Sequence, residues 1–285
     1  MGEEQIIVKI NPDVPPTGSD LGIVNAARKS FGRRSEWDLL VGGQVVDGPY
    51  YEELRLRGKD KRLLEFLARG MTAGDFNGFR TWVEDKGYDV VHTMRIGDDP
   101  EHLCEELVEK LWQWRNTPTH DTPFNHGFFS FEIKAPIFVA RQLVKHEYLI
   151  MSEYSRRYIT DDIEFYQPTV WRKAAEDVKQ GSSDEIVVAG ELMEPLINQG
   201  NRDQMLLYTG MLKQGFAAEQ ARMVLPQSLM TSWTWSGTLG AFAKMCQLRL
   251  AKDSQYETRL VAKEVYKHLC NQFPVAAPLL VEGVQ

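Results

Sequence analysis

Between Phe128 and Tyr158 an apolar strand, an apolar helix and a dense polar run follow one another with almost no spacer, and this stretch constrains the fold more than any other. Phe128 to Ile133 is phenylalanine-rich and bounded by Gly127 and Pro136, which predicts a core strand. Pro136 suits the first turn of a helix, where the N–H that proline lacks would have no intrahelical partner. Ile137, Val139, Ala140, Leu143 and Val144 then recur at helical spacings. Immediately after them, Lys145, His146, Glu147, Ser152, Glu153, Ser155, Arg156, Arg157 and Tyr158 crowd into fourteen positions. A buried helix that feeds such a run either delivers those groups to a ligand or ends in a solvated ion-pair loop, and composition alone does not choose.

The remaining elements read as strands scattered among longer helices. Gln5 to Ile10 predicts a short strand, and Asp20 can cap a helix through Phe31, with Leu21, Val24, Ala27 and Phe31 on one face and Arg28 near its end. Glycines, Pro49 and the Asp47-Gly48 pair predict turns from Leu40 to Gly58, in keeping with a hairpin. Lys61 to Ala68 predicts a short amphipathic helix stopped by Gly70. Asp89 to Ile96 alternates like a strand, and Pro100 starts a helix running to about Trp114. Further on, Ser183 or Asp184 can cap a helix from Glu185 to about Asn198, followed by helices over Gln204 to Lys213 and from near Ala217. Met230 to Trp235 suits a strand, and helices over Thr238 to Leu250 and Asp253 to Phe273 close the chain. This is an α+β pattern without βαβ regularity, and no G-x-G-x-x-G follows a strand, so a dinucleotide fold is not indicated.

Composition narrows the class. The 285 residues suffice for one large domain or two small ones, and with 43% hydrophobic and 26% charged residues they are ordinary for a soluble protein. A net charge of −7 argues against general affinity for nucleic acid or anionic membranes. No apolar run approaches the roughly 20 residues that cross a bilayer, and the acidic start MGEEQIIVKI is not a signal peptide. Cys104, Cys246 and Cys270 are isolated, with no metal-type pairing, which fits a reducing cytoplasm and no metal site. Cys246-Gln247 matches the nucleophile wording of folate-only thymidylate synthases, but it sits in an apolar helical run and reads as core.

Several stretches together resemble one family. Lys145, His146, Glu147, Ile150, Ser152, Ser155 and Arg157 fall on the seven specified positions of R-H-R-x-x-S-x-N-x-x-S-x-R, the signature of flavin-dependent thymidylate synthases. His146, Ser155 and Arg157 match it outright. H-D-T-P-F-N-H (His120 to His126) is similar to the family's H-E-T-P-F-E-H, and F-x-F-x-I-K-A-P-I-F-V-A-R-Q (Phe129 to Gln142) is close to its wording throughout. A-R-M-V-L-P (Ala221 to Pro226), L-R-x-x-x-D-S-Q-Y-E (Leu248 to Glu257) and N-A-A-R-x-S-F (Asn25 to Phe31) add to these in the family's order. The resemblance implies an α+β domain over residues 1 to 285, a mixed sheet flanked by long helices, and a homotetramer with its sites at subunit junctions. Compared with compact members, this chain carries extra material within residues 40 to 115, by default a surface excursion.

The same resemblance implies roles. Gln142, Glu153, Ser155, Arg157, Arg222 and Arg249 fall on positions that contact deoxyuridylate, with Arg222 reaching in from a neighbouring subunit. Ser155, Arg156 and Arg157 together supply hydroxyl and cationic donors suited to a phosphate dianion. Arg222, among Ala221, Met223, Val224 and Leu225, reads either as such a donor or as a helix-surface arginine with a buried stem. Arg249 falls beside the pyrimidine ring, where its charge would stabilise negative charge as C5 attacks, with no cysteine nucleophile needed. On the cofactor side, His120, Thr122, Lys145, His146, Glu147, Tyr148 and Lys244 are the candidates for FAD. That half departs from the family, with Lys145 and Glu147 for two arginines, Thr238 and Lys244 for asparagines and Gly240 for an arginine. Lysine keeps the charge but not the bidentate fork, and Glu147 beside a pyrophosphate must turn away or pair with Lys145 or Lys244. The expected activity is C5 methylation of a pyrimidine nucleoside monophosphate, dUMP to dTMP by default, with methylenetetrahydrofolate as donor and NADPH as reductant. Hydroxymethylation of dUMP or dCMP, methylation of UMP, and a non-catalytic nucleotide-binding homologue are the alternatives.

Overall fold

Alternation of large apolar and polar side chains builds the sheet on which the site rests. The computed structural model describes residues 2–40, 53–69, 81–87, 120–175, 182–187 and 190–281. Its elements are a single helical turn Gly2–Gln5, which takes Gln5 out of the expected strand, β1 (Ile7–Ile10), α1 (Asp20–Lys29), β2 (Asp38–Leu40), β3 (Glu53–Arg55), α2 (Gly58–Arg69), a 3-10 turn Thr122–His126, β4 (Phe128–Pro136) and α3 (Ile137–Leu143). After these come β5 (Ile150–Glu153), β6 (Arg172–Ala174), β7 (Ser182–Ile186), α4 (Gly190–Lys213), a single turn Ala218–Ala221 running into the 3-10 turn Arg222–Val224, β8 (Met230–Thr238), α5 (Leu239–Arg249), α6 (Tyr256–Gln272) and α7 (Ala276–Leu280). The expected strand over Asp89 to Ile96, the helix from Pro100 and Cys104 lie outside the described residues.

Two compact units share the chain. The first comprises Met1–Pro16, Phe129–Gly237 and Met245–His268. Its four-stranded sheet has the order β1-β4-β8-β5. Ile7 pairs with Lys134 and Ile150 with Ser236, both in antiparallel registers, so these pairings are antiparallel where a mixed sheet was expected. Phe129, Phe131, Ile133 and Ala135 of β4 point into the core while Glu132 and Lys134 face out, and Trp233 and Trp235 of β8 join them. Val261, Ala262 and Val265 of α6 pack there at helical spacing, with Val139, Ala140 and Leu143 of α3 also buried. Each buried Val, Leu, Ile or Phe side chain among them contributes about 1.5–3 kcal/mol on leaving water. Cys246 is fully buried, as its core reading requires.

One stretch of this unit overturns its sequence reading. Ser182–Ile186 is a strand paired with Arg172–Ala174, not the start of a helix, and a continuous helix runs from Gly190 to Lys213 through Pro195. Its first residue, Gly190, lies close against Trp171, where a Cβ would come within 2.5 Å. That is a tertiary contact with no local signature.

The second unit comprises Thr17–Phe128, Thr238–Lys244 and Leu269–Gln285. Ile23 and Val24 of α1, Leu64 and Leu67 of α2, Phe124, Phe242 and Phe273 form its core. Ser19, rather than Asp20, caps α1, its hydroxyl accepting from the Gly22 N–H at 3.1 Å. Asp20 is buried instead, and its carboxylate accepts the backbone N–H groups of Val275 and Ala276 at 3.0 and 2.9 Å, satisfying donors that α7 leaves open. Burial pushes that carboxyl up, against the two hydrogen bonds. Arg28 ties α1 to α2 through a 2.6 Å ion pair with the fully buried Asp60, which also accepts from Ser35. The pairing of β2 with β3 agrees with a hairpin between residues 40 and 58, whose turn lies outside the described residues. Gly127 is required by packing, because a Cβ there would lie 2.5 Å from the Phe273 ring.

Candidate active site

Helix α3 divides the sequence-predicted site residues between two cavities of the first unit. Residues four apart lie on one helix face, and the next residue is rotated by about 100°. Ile137 and Arg141 therefore line one cavity, while Phe138 and Gln142 line the other.

The first cavity, of about 580 Å³, gathers Arg141, Glu153, Ser155, Arg156, Arg157 and Arg222 over an apolar floor that includes Leu225 and Leu229. Glu153 ends β5 and accepts the Thr231 hydroxyl at 3.0 Å. Ser155 sits at the following turn, its hydroxyl 3.4 Å from both the backbone N–H and the Nε of Arg157. Arg157 is exposed and lies 5.2 Å from the Tyr158 ring centroid. Arg156 behaves differently: its guanidinium donates to the carbonyls of Asp161 and Asp162, the latter at 2.8 Å, and stacks over Tyr154. It pins a loop in which Asp162 takes φ +56°, so its charge serves the cavity from a fixed place. Arg222 is exposed at the start of its 3-10 turn, not inside an apolar helix, because the helix expected from Ala217 ends after one turn. Arg141 joins this group without having been singled out from sequence. Four guanidinium groups around one space, on a chain of net charge −7, suit a dianion.

The second cavity, of about 570 Å³, is lined by Gln142, Arg249, Tyr166, Trp171, Arg172 and Glu257, among others. Arg249, at the last turn of α5, donates Nε to Nε2 of His146 at 3.0 Å and Nη2 to the carbonyl of Gln142 at 3.1 Å. Burial pulls the guanidinium's pKa down. His146 is lowered from 6.5 to about 4, first by burial and then by the charge of Arg249, so it is a neutral acceptor at pH 7. The imidazole meets the Trp235 ring edge-on, at 6.4 Å and 62°. His146 is thus brought to Arg249 in the first unit, where sequence had grouped it with the cofactor.

The other cofactor candidates fall in two places. Lys145, Glu147 and Tyr148 lie exposed on the turn between α3 and β5, with Tyr148 81% accessible. In the second unit His120 stacks on Phe66 at 5.7 Å, Thr122 opens the 3-10 turn, and Lys244 forms a 3.1 Å ion pair with Asp121. Asn125, missed from sequence, accepts the Thr238 hydroxyl at 2.7 Å and lies 2.8 Å from where a Cβ on Gly240 would be. A larger residue at position 240 would therefore displace Asn125, so the changes at 125, 238 and 240 form one rebuilt cluster. Within the first unit, Lys145 and the exposed Tyr148 offer a cation and an aromatic face; within the second, Lys244, Thr122 and Asn125 offer a cation, a hydroxyl and an amide, groups of the kind an anionic, aromatic cofactor takes. Among the described residues no cluster of three or more His, Cys, Asp or Glu side chains forms a metal site, and no helix is long and apolar enough to cross a membrane.

Comparison with known proteins identifies the chain's relatives. The family described as thymidylate synthase complementing protein matches residues 17–275. A flavin-dependent thymidylate synthase of Thermus thermophilus is 33% identical over 205 residues, covering 70% of this chain and 74% of that protein. One from Thermosipho melanesiensis is 35% identical over 194 residues, covering 67% and 84%. Among solved structures, the UMP/dUMP methylase PolB from Streptomyces cacaoi bound with 5-Br dUMP superposes with a TM-score of 0.63 at 20% identity, covering 98% of this chain and 96% of that one. At that identity the likeness concerns the fold.

Proposed function

The chain belongs to the thymidylate synthase complementing protein family, and from this we propose that it is a flavin-dependent enzyme that methylates C5 of a pyrimidine nucleoside monophosphate, with dUMP as substrate. The observation that carries the proposal is Arg249, a half-buried cation fixed by two hydrogen bonds at the wall of a cavity it shares with Gln142. Held against a uracil ring, it would draw charge towards the ring oxygens and stabilise the negative charge that develops as C5 attacks the one-carbon unit. His146 keeps the guanidinium in place as a neutral acceptor without competing for that charge. Ser155, Arg157 and Arg222 bind the phosphate, while Arg156 holds the loop of Ser155 and Arg157 in shape. Lys145 and Tyr148 of the first unit are FAD contacts in this reading, with Glu147 turned to solvent, and His120, Thr122 and Lys244 of the second unit are a separate set of FAD contacts. Bound in reduced form, FAD would supply the electrons that take the transferred carbon from the methylene to the methyl level. Methylenetetrahydrofolate is the carbon donor in this reading and NADPH the final reductant.

The phosphate donors and the base-side cation lie in separate cavities of one chain, on either side of α3. A second copy would complete each site, as expected of a homotetramer with sites at subunit junctions. Leu192, Met193, Leu196, Leu206 and Leu207 of α4 are all more than half exposed, an apolar face of the kind that subunit contacts cover. The test is incubation of the FAD-loaded protein with methylenetetrahydrofolate, NADPH and, separately, dUMP, UMP and dCMP. A product heavier than dUMP by one methyl group in place of hydrogen is the expected result. Absence of any modified nucleotide, or a hydroxymethyl product, would refute the assignment.

A further inference from the structure

We infer that Glu257 is a positioning residue that sets the preference for uracil over cytosine, acting through Gln255 on the side-chain amide of Gln142. The inference rests on the proposed reading of the second cavity as the place of the pyrimidine ring. Gln142, Gln255 and Glu257 all line that cavity with Arg249. Gln255 donates Nε2 to the Glu257 carboxylate at 3.2 Å. The Nε2 of Gln142 donates to Oε1 of Gln255, and Oε1 of Gln142 accepts the hydroxyl of the buried Thr258 at 3.2 Å.

The polarity of this relay follows from its acidic end. An ionised carboxylate only accepts hydrogen bonds, so Gln255 must turn its NH2 group towards Glu257 and its carbonyl towards Gln142. Gln142 must then offer its own NH2 to Gln255, which leaves its carbonyl to Thr258. One N–H and one lone pair of the Gln142 amide remain, in a single orientation. Uracil carries an acceptor at C4 and a donor at N3, and cytosine carries the reverse. An amide free to turn over reads both edges, whereas a fixed amide matches one and leaves unpaired groups against the other. The backbone of Gln142 is held as well, its carbonyl accepting from Arg249 at 3.1 Å.

The test is titration of the FAD-loaded protein with dUMP and with dCMP, for the wild type, Glu257→Gln and Thr258→Val. A glutamine at 257 either donates or accepts, so Gln255 and Gln142 lose their imposed orientation. The expected result is a fall of about tenfold or more in the dUMP-to-dCMP affinity ratio, about the worth of one mispaired hydrogen bond, with dCMP affinity held or improved. Thr258→Val removes only the far anchor and should lower the ratio less. It reads the same quantity should Glu257→Gln not fold. An unchanged ratio, or equal weakening of both nucleotides, would overturn the inference. A wild-type protein that binds neither nucleotide overturns the proposed function and this inference with it. A wild-type preference for dCMP that Glu257→Gln erases overturns only the choice of uracil.

Discussion

The two cavities flanking α3 hold arginines in opposite ways. In one, Arg157 and Arg222 are exposed, and among the described residues Arg157 is braced by a serine hydroxyl and a tyrosine ring. In the other, Arg249 is half-buried, donates to a neutral histidine and a backbone carbonyl, and has its pKa pulled down by burial. The difference separates two tasks. A phosphate is a dianion that can be gathered by adaptable side chains, and water nearby costs little specificity. Stabilising charge that appears only during reaction requires a cation already in place, in surroundings that screen it poorly.

The sharpest way to break the comparison is Arg249→Ala. Loss of a preorganised donor to developing charge costs about 10²–10³ in kcat, and steady-state product formation from dUMP should fall by that amount or more. Titrated dUMP affinity should change much less. If affinity falls as far as turnover, Arg249 is a binding group like the others. The exposed arginines come next: Arg157→Ala and Arg222→Ala should each weaken dUMP binding by about 1.5–3 kcal/mol, the scale of a charged hydrogen bond. Deoxyuridine, which lacks the phosphate, should bind each variant as it binds the wild type.

His146 gives a smaller, pH-dependent effect. Its folded pKa of about 4 lies below the ordinary 6.5, so between these values the unfolded chain binds a proton that the native chain does not. Native stability is therefore full above pH 6.5 and falls as the pH drops towards 4, by on the order of 2 kcal/mol after allowance for the part of the ring that water reaches. Denaturant melts at pH 7 and pH 5 should show this slope in the wild type and a shallower one in His146→Gln. The smallest effect belongs to Arg156→Ala. Because its guanidinium is committed to the carbonyls of Asp161 and Asp162, the loss should appear as about 1 kcal/mol of stability, with phosphate binding weakened less than in Arg157→Ala.

What could be read from the sequence depended on where each signal resides. β4, α3 and β8 carry their periodicity in their own residues, Ser155 and Arg157 follow from the signature, and Arg222 follows from the separate A-R-M-V-L-P stretch. Misreadings arose where a distant partner decides. Asp20 has the chemistry of a cap, but Ser19 takes that place while Asp20 serves Val275 and Ala276, more than 250 positions away. The strand Ser182–Ile186 exists because Arg172–Ala174 pairs with it, and α4 starts where Gly190 meets Trp171. Gln255 and Glu257 stood within a recognised motif, yet their relay to Gln142 is a matter of which amide end faces which neighbour. A string of letters does not state that.

The seven residues of α3 also make the chain unusually sensitive to length rather than to composition at this point. An exchanged side chain disturbs one cavity, but a single inserted or deleted residue would turn everything beyond it by about 100°. Arg141 would then leave the phosphate donors in the same step that carries Gln142 away from Arg249. Engineers seeking altered substrates can vary the cavity-lining positions one at a time, and should expect indels within Ile137–Leu143 to abolish both halves of recognition together.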